Sequence, residues 1–146
     1  MSNPRIVALT AHQQAAWCTL LAGYADFYQT PPPHAETVWE WLAMGKLQGA
    51  GAENAAGELI GFAHWEYILR PLRGQKLAYL HDLFVQPAAR GLGAATQLLE
   101  YAAAEAKANG CATLRWATAA DNERARRLYR RVATETQWVI YDKELD

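Results

Sequence analysis

The chain contains little cysteine and no long apolar run. Only Cys18 and Cys111 occur among 146 residues, in no C-x-x-C spacing, so free thiols in a reducing cytoplasm are the simplest interpretation. The four histidines also lie apart, and we expect no metal site. No stretch approaches the ~20 apolar residues of a membrane span, and no secretory leader pattern stands at the N-terminus. These absences predict a cytoplasmic protein without a membrane partner.

An excess of charge of either sign is missing as well. Fourteen basic and 15 acidic residues give a formal net charge of -1, so no basic surface predicts a nucleic-acid partner. Apolar residues make up 51% of the chain and charged residues 20%, as is typical of globular proteins. We expect residues 1–146 to form a single domain with a sizeable core.

Two glycines separated by one residue follow a short apolar run in the second half of the chain. Residues 83–85 read Leu-Phe-Val, which predicts a strand, and Pro87 ends it because proline has no N–H to donate. Residues 90–95 then read Arg-Gly-Leu-Gly-Ala-Ala and lead into a helical pattern. Free N–H groups and the positive dipole end of a helix attract anions. This loop therefore predicts a phosphate or pyrophosphate site, although close helix packing would also require small residues. It matches neither the P-loop nor the G-x-G-x-x-G pattern.

The periodicity of apolar residues predicts a mixed sheet flanked by helices. We expect strands over 5–9, 48–53, 59–69, 76–85, 112–118 and 137–145, with helices after Thr10, over 34–44, after the glycine loop and after Asp121 or Asn122. Strands 59–69 and 76–85 should pair antiparallel through a turn. A helical crossover makes strand 112–118 parallel to strand 76–85. The predicted class is α+β, or mixed α/β.

A second motif follows the predicted crossover. Residues 122–129 have the form N-x-x-A-x-x-L-Y. Together with Arg-x-x-Gly-x-Ala at residues 90–95, in this order, it resembles the GNAT superfamily of acetyl-CoA-dependent N-acetyltransferases. The resemblance is recognisable over residues 80 to 130. It implies a mixed, mostly antiparallel sheet of about six or seven strands, about four helices and a splayed parallel strand pair.

The resemblance also implies acetyl-CoA as co-substrate and a set of site residues. Strand 83–85 would hold the pantetheine arm and the thioester carbonyl through its backbone, with the N–H of Leu83 stabilising the oxyanion. Tyr129 would stand beside the sulfur as general acid, unless it is simply an aromatic residue packed on the sheet. The implied cofactor-binding residues are Leu83, Phe84, Val85, Arg90, Gly91, Leu92, Gly93, Ala94, Ala95 and Asn122.

The acceptor amine requires a base, because an alkyl amine with a pKa of ~10.4 is mostly protonated at neutral pH. His81 is the first candidate, since it lies two residues before Leu83 and should share its strand face. In polyamine-type relatives this position is a glutamate, so the assignment stays open. Glu66 is the second candidate and Asp82 a weaker third. We assign His64 to sheet packing.

These features predict an enzyme that acetylates the primary amine of a small molecule by direct attack on the thioester. Asp26, Glu66 and Asp82 can attract a cation, and no long peptide groove is legible. The alternatives are acetylation of protein N-termini or lysines, a non-catalytic acyl-CoA-binding module and an interaction domain. The tail offers one strand where many relatives have two, so a second subunit completing the sheet, as a homodimer, is a further expectation.

Overall fold

The computed structural model describes residues 3–146 as five strands and four α-helices, with two short 3-10 helices. The elements are β1 (Arg5–Ala8), α1 (Gln14–Phe27), α2 (Ala35–Ala43), β2 (Gln48–Glu53), β3 (Leu59–Arg70), β4 (Gln75–Val85), α3 (Ala94–Ala108), β5 (Cys111–Arg115) and α4 (Glu123–Val132). The mixed α+β class is confirmed. Most predicted bounds are within two residues of those observed, and β5 ends three residues earlier than predicted.

These residues fall into two compact units. The first ends at Trp116 and contains the five strands with α1, α2 and α3, whereas the second spans Ala117–Asp146 and contains α4. Residues 133–146 form no strand, so the predicted closing strand at 137–145 is wrong and the sheet has five strands. Apolar residues do alternate over 137–145, but a segment forms a strand only where its N–H and C=O groups pair with a neighbouring strand. The single-domain expectation stays a prediction.

The sheet follows the chain order β1-β2-β3-β4-β5. The first three pairings are antiparallel and β4 pairs parallel with β5. The parallel pairing ends at Tyr79↔Arg115, whereas β4 continues to Val85. Within residues 3–146, no strand therefore pairs with β4 on the β5 side beyond Tyr79, as expected for a splayed parallel pair.

Two clusters of buried side chains pack on opposite faces of the sheet. Beneath α3, Leu98 and Ala102 pack with Trp65 of β3. On the other face, Trp17 of α1 packs with Phe62 of β3 in a second cluster. Burial of the helical positions in α1 follows the spacing in its sequence, because residues three and four apart share one face. The sheet is thus covered on both sides over much of its length.

Candidate functional site

A β-bulge in β4 changes which side chains share a face. His64 of β3 is paired with Asp82 and the next residue, Trp65, with Leu80, so His81 is the extra residue of the bulge. Successive side chains of a regular strand point to opposite faces. The bulge instead lets His81 and Asp82 line one cavity together.

The bulge overturns one expectation about strand faces. Leu83 packs against the core cluster beneath α3. The His81 side chain is 42% exposed and lies beside Glu66, on the cavity side of the sheet. The expectation that His81 and Leu83 share a face is therefore wrong, because the extra residue reverses the alternation between them.

The cavity at the bulge, which we call the β4 cavity, has a volume of about 570 Å³. It combines two carboxylates and a histidine with one basic and three apolar side chains. Its lining residues are Val38, Trp41, Lys46, Leu47, Glu66, His81 and Asp82. The volume is in the range of small-molecule sites, which are mostly apolar with a few convergent polar groups.

The two leading base candidates are neighbours in this cavity. His81 Nε2 lies 3.5 Å from Glu66 Oε1, and their side chains are 42% and 39% exposed. The ring of Tyr79 stacks obliquely on His81 with 5.0 Å between centroids. An imidazole beside a carboxylate can accept a proton and have its positive charge stabilised.

The Asp82 carboxylate contacts a buried pair of side chains, His64 and Trp17, through His64. Its Oδ2 lies 2.9 Å from His64 Nδ1, and the indole Nε1–H of Trp17 donates to His64 Nε2 at 3.0 Å. Burial raises the pKa of the Asp82 carboxyl, but interactions with His64, Tyr24 and His81 outweigh this and hold that pKa below its usual value. Asp82 is therefore an anion at neutral pH, suited to bind an ammonium group and poorly suited to deprotonate it.

The glycine loop has the geometry of an anion cradle. Gly91 and Gly93 have φ angles of 89° and 85°, where glycine is strongly favoured. A Cβ added at either would meet nothing within 4 Å, so the space beside the backbone is open. The helix begins at Ala94, and the amide of Gln97 donates to Gly93 O at 3.0 Å. The preceding amides of the first turn have no intrahelical acceptor, and these groups fit a pyrophosphate.

The side chains around the loop are fixed by the core. Ala94 is 2% exposed and packs into the cluster beneath α3, which holds the start of the helix in place. The Arg90 guanidinium lies 4.9 Å from the Phe27 ring centroid, within cation–π range. Leu92 and Ala95 are half-buried. Phe84 and Val85 are buried, so only the backbone of the free β4 edge is available to a ligand.

Two predicted site residues belong to the second unit. Asn122 is the N-cap of α4, where its Oδ1 accepts from the amide of Ala125 at 3.3 Å. Tyr129 lies on α4 and is half-buried. A role for Asn122 as helix cap is thus directly visible, while its contact with the pantetheine arm stays a prediction, as does the acid role of Tyr129.

Sequence reasoning missed part of the cavity lining. Trp41, which is 45% exposed, and Lys46 line the β4 cavity, and the sequence pattern singled out neither as a site residue. His64 is 1% exposed, as sheet packing predicts, but it also contacts Asp82. A polar residue within the apolar run of β3 was the available signal, because a buried polar group requires a partner.

The described residues contain neither a membrane-spanning helix nor a cluster of metal-ligating side chains. No helix there is long and apolar enough to cross a membrane. No group of three or more potential metal-ligating side chains was found there either.

Comparison with known proteins gives a family match over most of the chain. Residues 13–133 match the model of the acetyltransferase (GNAT) family. The chain is also similar to the D-amino-acid N-acetyltransferase HPA3 of Saccharomyces cerevisiae, with 34% identity over 150 residues that cover 98% of this chain and 93% of that protein.

Solved structures share the fold at lower identity. A ribosomal-protein-alanine N-acetyltransferase from Brucella melitensis biovar Abortus 2308 superposes with a TM-score of 0.84 at 23% identity, covering 99% of this chain and 100% of that one. The aminoglycoside N-acetyltransferase AAC(6')-Iy in complex with CoA superposes with a TM-score of 0.82 at 22% identity, covering 99% and 96%. At these identities the likeness concerns the fold.

Proposed function

This chain belongs to the GNAT family of acetyltransferases, and from that premise we propose that it transfers the acetyl group of acetyl-CoA to the amino group of a free amino acid. One observation carries the proposal: the β4 cavity combines carboxylates, one lysine and apolar side chains within about 570 Å³. A zwitterion with an apolar side chain matches all three kinds of lining. The relative at 34% identity is named as a D-amino-acid N-acetyltransferase, which supports an amino acid as the class of acceptor.

Each part of an amino acid has a counterpart in the cavity. Asp82 and Glu66 offer negative charge to the ammonium group, and Lys46 offers a cation to the carboxylate. Lys46 follows α2, and its backbone amide donates to Trp41 O at 2.9 Å, which fixes the backbone from which its side chain extends. Trp41 and Val38 supply apolar surface for the acceptor's side chain.

The glycine loop and the free edge of β4 would hold the cofactor. The amides from Gly91 to Ala95 would bind the pyrophosphate at the start of α3, with Arg90 and Leu92 flanking it. Backbone groups of residues 83–85 would bind the pantetheine arm as an added strand, and Asn122 would contact the arm from α4. The bound thioester supplies an acyl group activated toward an amine.

The proton chemistry is assigned to three side chains. His81 Nε2 accepts the proton of the substrate ammonium, and Glu66, 3.5 Å away, stabilises the imidazolium that results. The free amine attacks the thioester carbonyl, and the N–H of Leu83 stabilises the negative charge that develops on its oxygen. Tyr129 donates its hydroxyl proton to the departing thiolate, whose conjugate acid has a thiol-like pKa of ~8.5, and its oxygen then takes back the proton that the attacking nitrogen loses as the amide forms.

The test compares an amino acid with the amine that lacks only its carboxylate. The parent should acetylate phenylalanine or leucine with a lower KM than phenethylamine or isopentylamine. Lys46→Met should raise KM for the amino acid by about tenfold, the size of one charge-assisted hydrogen bond. It should leave KM for the amine unchanged. Lys76→Met is the matched control, because Lys76 also loses a positive charge but does not line the β4 cavity. Its ammonium group lies over the ring of Tyr67 instead.

Other results would redirect the assignment. Equal KM for the amino acid and the amine in the parent would reject the carboxylate contact and favour a simple amine. Turnover of a peptide N-terminus or a lysine peptide alone would make the enzyme a protein acetyltransferase. Binding of acetyl-CoA without turnover over the whole panel would favour a non-catalytic acyl-CoA-binding module.

We also propose that the protein works as a homodimer in the cytoplasm. Residues 137–145 alternate like a strand but form no strand pairing within residues 3–146, and Trp138 and Ile140 are 79% and 68% exposed. Exposed apolar side chains with unpaired backbone favour addition to a sheet edge of a second copy. Cys18 and Cys111 are both free thiols, which a reducing compartment preserves.

A further inference from the structure

A chain of hydrogen-bonded side chains leads from the buried face of α1 to the β4 cavity: Trp17, His64 and Asp82. We propose that His64 is a positioning residue, held in one tautomer by Trp17, that fixes the Asp82 carboxylate for the incoming ammonium group. The inference rests on the proposed function, because it assumes that Asp82 binds the acceptor's ammonium group. It adds two residues that do not line the β4 cavity.

The indole of Trp17 decides which nitrogen of His64 carries the proton. Indole Nε1–H can only donate, and it lies 3.0 Å from His64 Nε2. That nitrogen must therefore be the acceptor. In a neutral imidazole the proton then sits on Nδ1, which lies 2.9 Å from Asp82 Oδ2. The direction of both hydrogen bonds is thus set by a residue outside the cavity.

The alternative tautomer would oppose both contacts. A proton on Nε2 would face the indole N–H, and a bare Nδ1 would face a carboxylate oxygen. Water cannot correct this mismatch, because Trp17 is 0% and His64 1% exposed, and a buried polar group without a partner is costly. The pair Trp17–His64 is therefore a preset donor aimed at Asp82.

The cross-strand register brings this donor to the cavity. His64 and Asp82 are directly paired on β3 and β4, and they share a face because the bulge at His81 reverses the alternation. Rings on both sides confine the imidazole: Phe62 at 4.7 Å and Trp17 at 5.8 Å between centroids. The Asp82 side chain is 28% exposed, so part of its carboxylate faces the cavity while Oδ2 is held by His64.

Substitution of His64 separates positioning from mere packing. Asp82→Asn should raise KM for the amine acceptor, since it removes the charge that binds ammonium. His64→Leu should raise that KM by about tenfold, as expected for loss of one charge-assisted hydrogen bond, with KM for acetyl-CoA unchanged. His64→Asn should keep the acceptor KM close to that of the parent, because the asparagine amide can occupy the place of Nδ1 and donate to Asp82.

Trp17→Phe tests the tautomer lock and has a matched control. It removes the indole donor but keeps an aromatic ring, and it should raise the acceptor KM in the same direction as His64→Leu. Trp65→Phe is the control: Trp65 is 2% exposed and its indole donates to the Tyr67 hydroxyl at 3.2 Å, on the opposite face of the sheet. Both variants should lower Tm, and only Trp17→Phe should change the acceptor KM.

A double-mutant cycle and one spectroscopic measurement decide the outcome. In the Asp82→Asn background, His64→Leu should cause no further rise in KM. Imidazole ¹⁵N NMR of the parent should show a protonated Nδ1 for His64, and Trp17→Phe should change this signal. No effect of Asp82→Asn on KM would overturn the proposed ammonium site itself. An effect of Asp82→Asn without any effect of His64→Leu, or a protonated Nε2 in the parent, would overturn the positioning role alone.

Discussion

At the scale of single residues, the proposed general acid is the hydroxyl group of Tyr129. The Tyr129 hydroxyl is needed only as the thiolate departs, so its loss belongs to the transition state. Tyr129→Phe should lower kcat by about a hundredfold, as general acids typically contribute, while acetyl-CoA affinity and Tm change little because the ring remains. An assay of CoA release measures kcat, titration calorimetry measures the affinity for acetyl-CoA, and a thermal scan measures Tm. Unchanged turnover would reject Tyr129 as the acid, and a large drop in Tm would favour the packing role.

The base is also assigned at this scale, by the pH dependence of kcat/KM. Protonation of the base as the pH falls should produce an acid limb. If His81 is the base, this limb should disappear in His81→Ala and persist in Glu66→Gln. Asp82 does not produce it, because its pKa is held below the ordinary value and it stays ionised across the neutral range. The reverse pattern in the two variants would assign the base to Glu66.

At the scale of elements, the glycine loop and the start of α3 are proposed to bind the pyrophosphate together. A valine at Gly93 would place its side chain in the open space beside the amides and would strain a residue whose φ is 85°. Gly93→Val should weaken CoA binding, measured by calorimetry. Gly57→Val is a matched control, because Gly57 also has a positive φ of 81° and open space around it. Equal affinity in the two variants would show that the loop is not the phosphate site.

For the whole molecule, cofactor binding should appear as added stability. A ligand that binds only the folded state raises the free energy of unfolding by about 2.7 kcal/mol at a concentration a hundredfold above Kd. Acetyl-CoA should therefore raise Tm in a concentration-dependent manner. The same concentration of acetyl-phosphate, which lacks the pyrophosphate and pantetheine arm, serves as control. A Tm that does not move at saturating acetyl-CoA would contradict the cofactor assignment.

The proposed dimer is a second property of the whole molecule. Substituting Trp138→Ser together with Ile140→Ser should shift sedimentation toward the monomer, because two exposed apolar side chains of the tail are lost. Leu72→Ser is the control, since Leu72 is 98% exposed and lies in the turn between β3 and β4. A parent chain that sediments as a monomer at micromolar concentration would contradict the dimer.

The sequence by itself determined the order of elements from β1 to α4 and the family. Spacing of apolar residues predicted α1 and β1 because helices and strands bury residues at different periods. The glycine loop was legible because a positive φ and open backbone require particular residue types at adjacent positions. A helix start at Asp121 or Asn122 was legible for the same local reason, and the structure assigns the N-cap to Asn122. Motifs of this kind act over a few residues, so the chain alone carries them.

Only the tertiary structure decided how the cavity is built. The bulge at His81 adds one residue to β4, and no local pattern distinguishes that extra residue from a regular strand position. It reverses the face of each later side chain and thereby brings Asp82 to His64, 18 residues away. Lys46 joins the same cavity from the end of α2. The tail at 137–145 has a strand pattern but no partner strand among the residues that the structure describes, because pairing is a property of two segments and not of one.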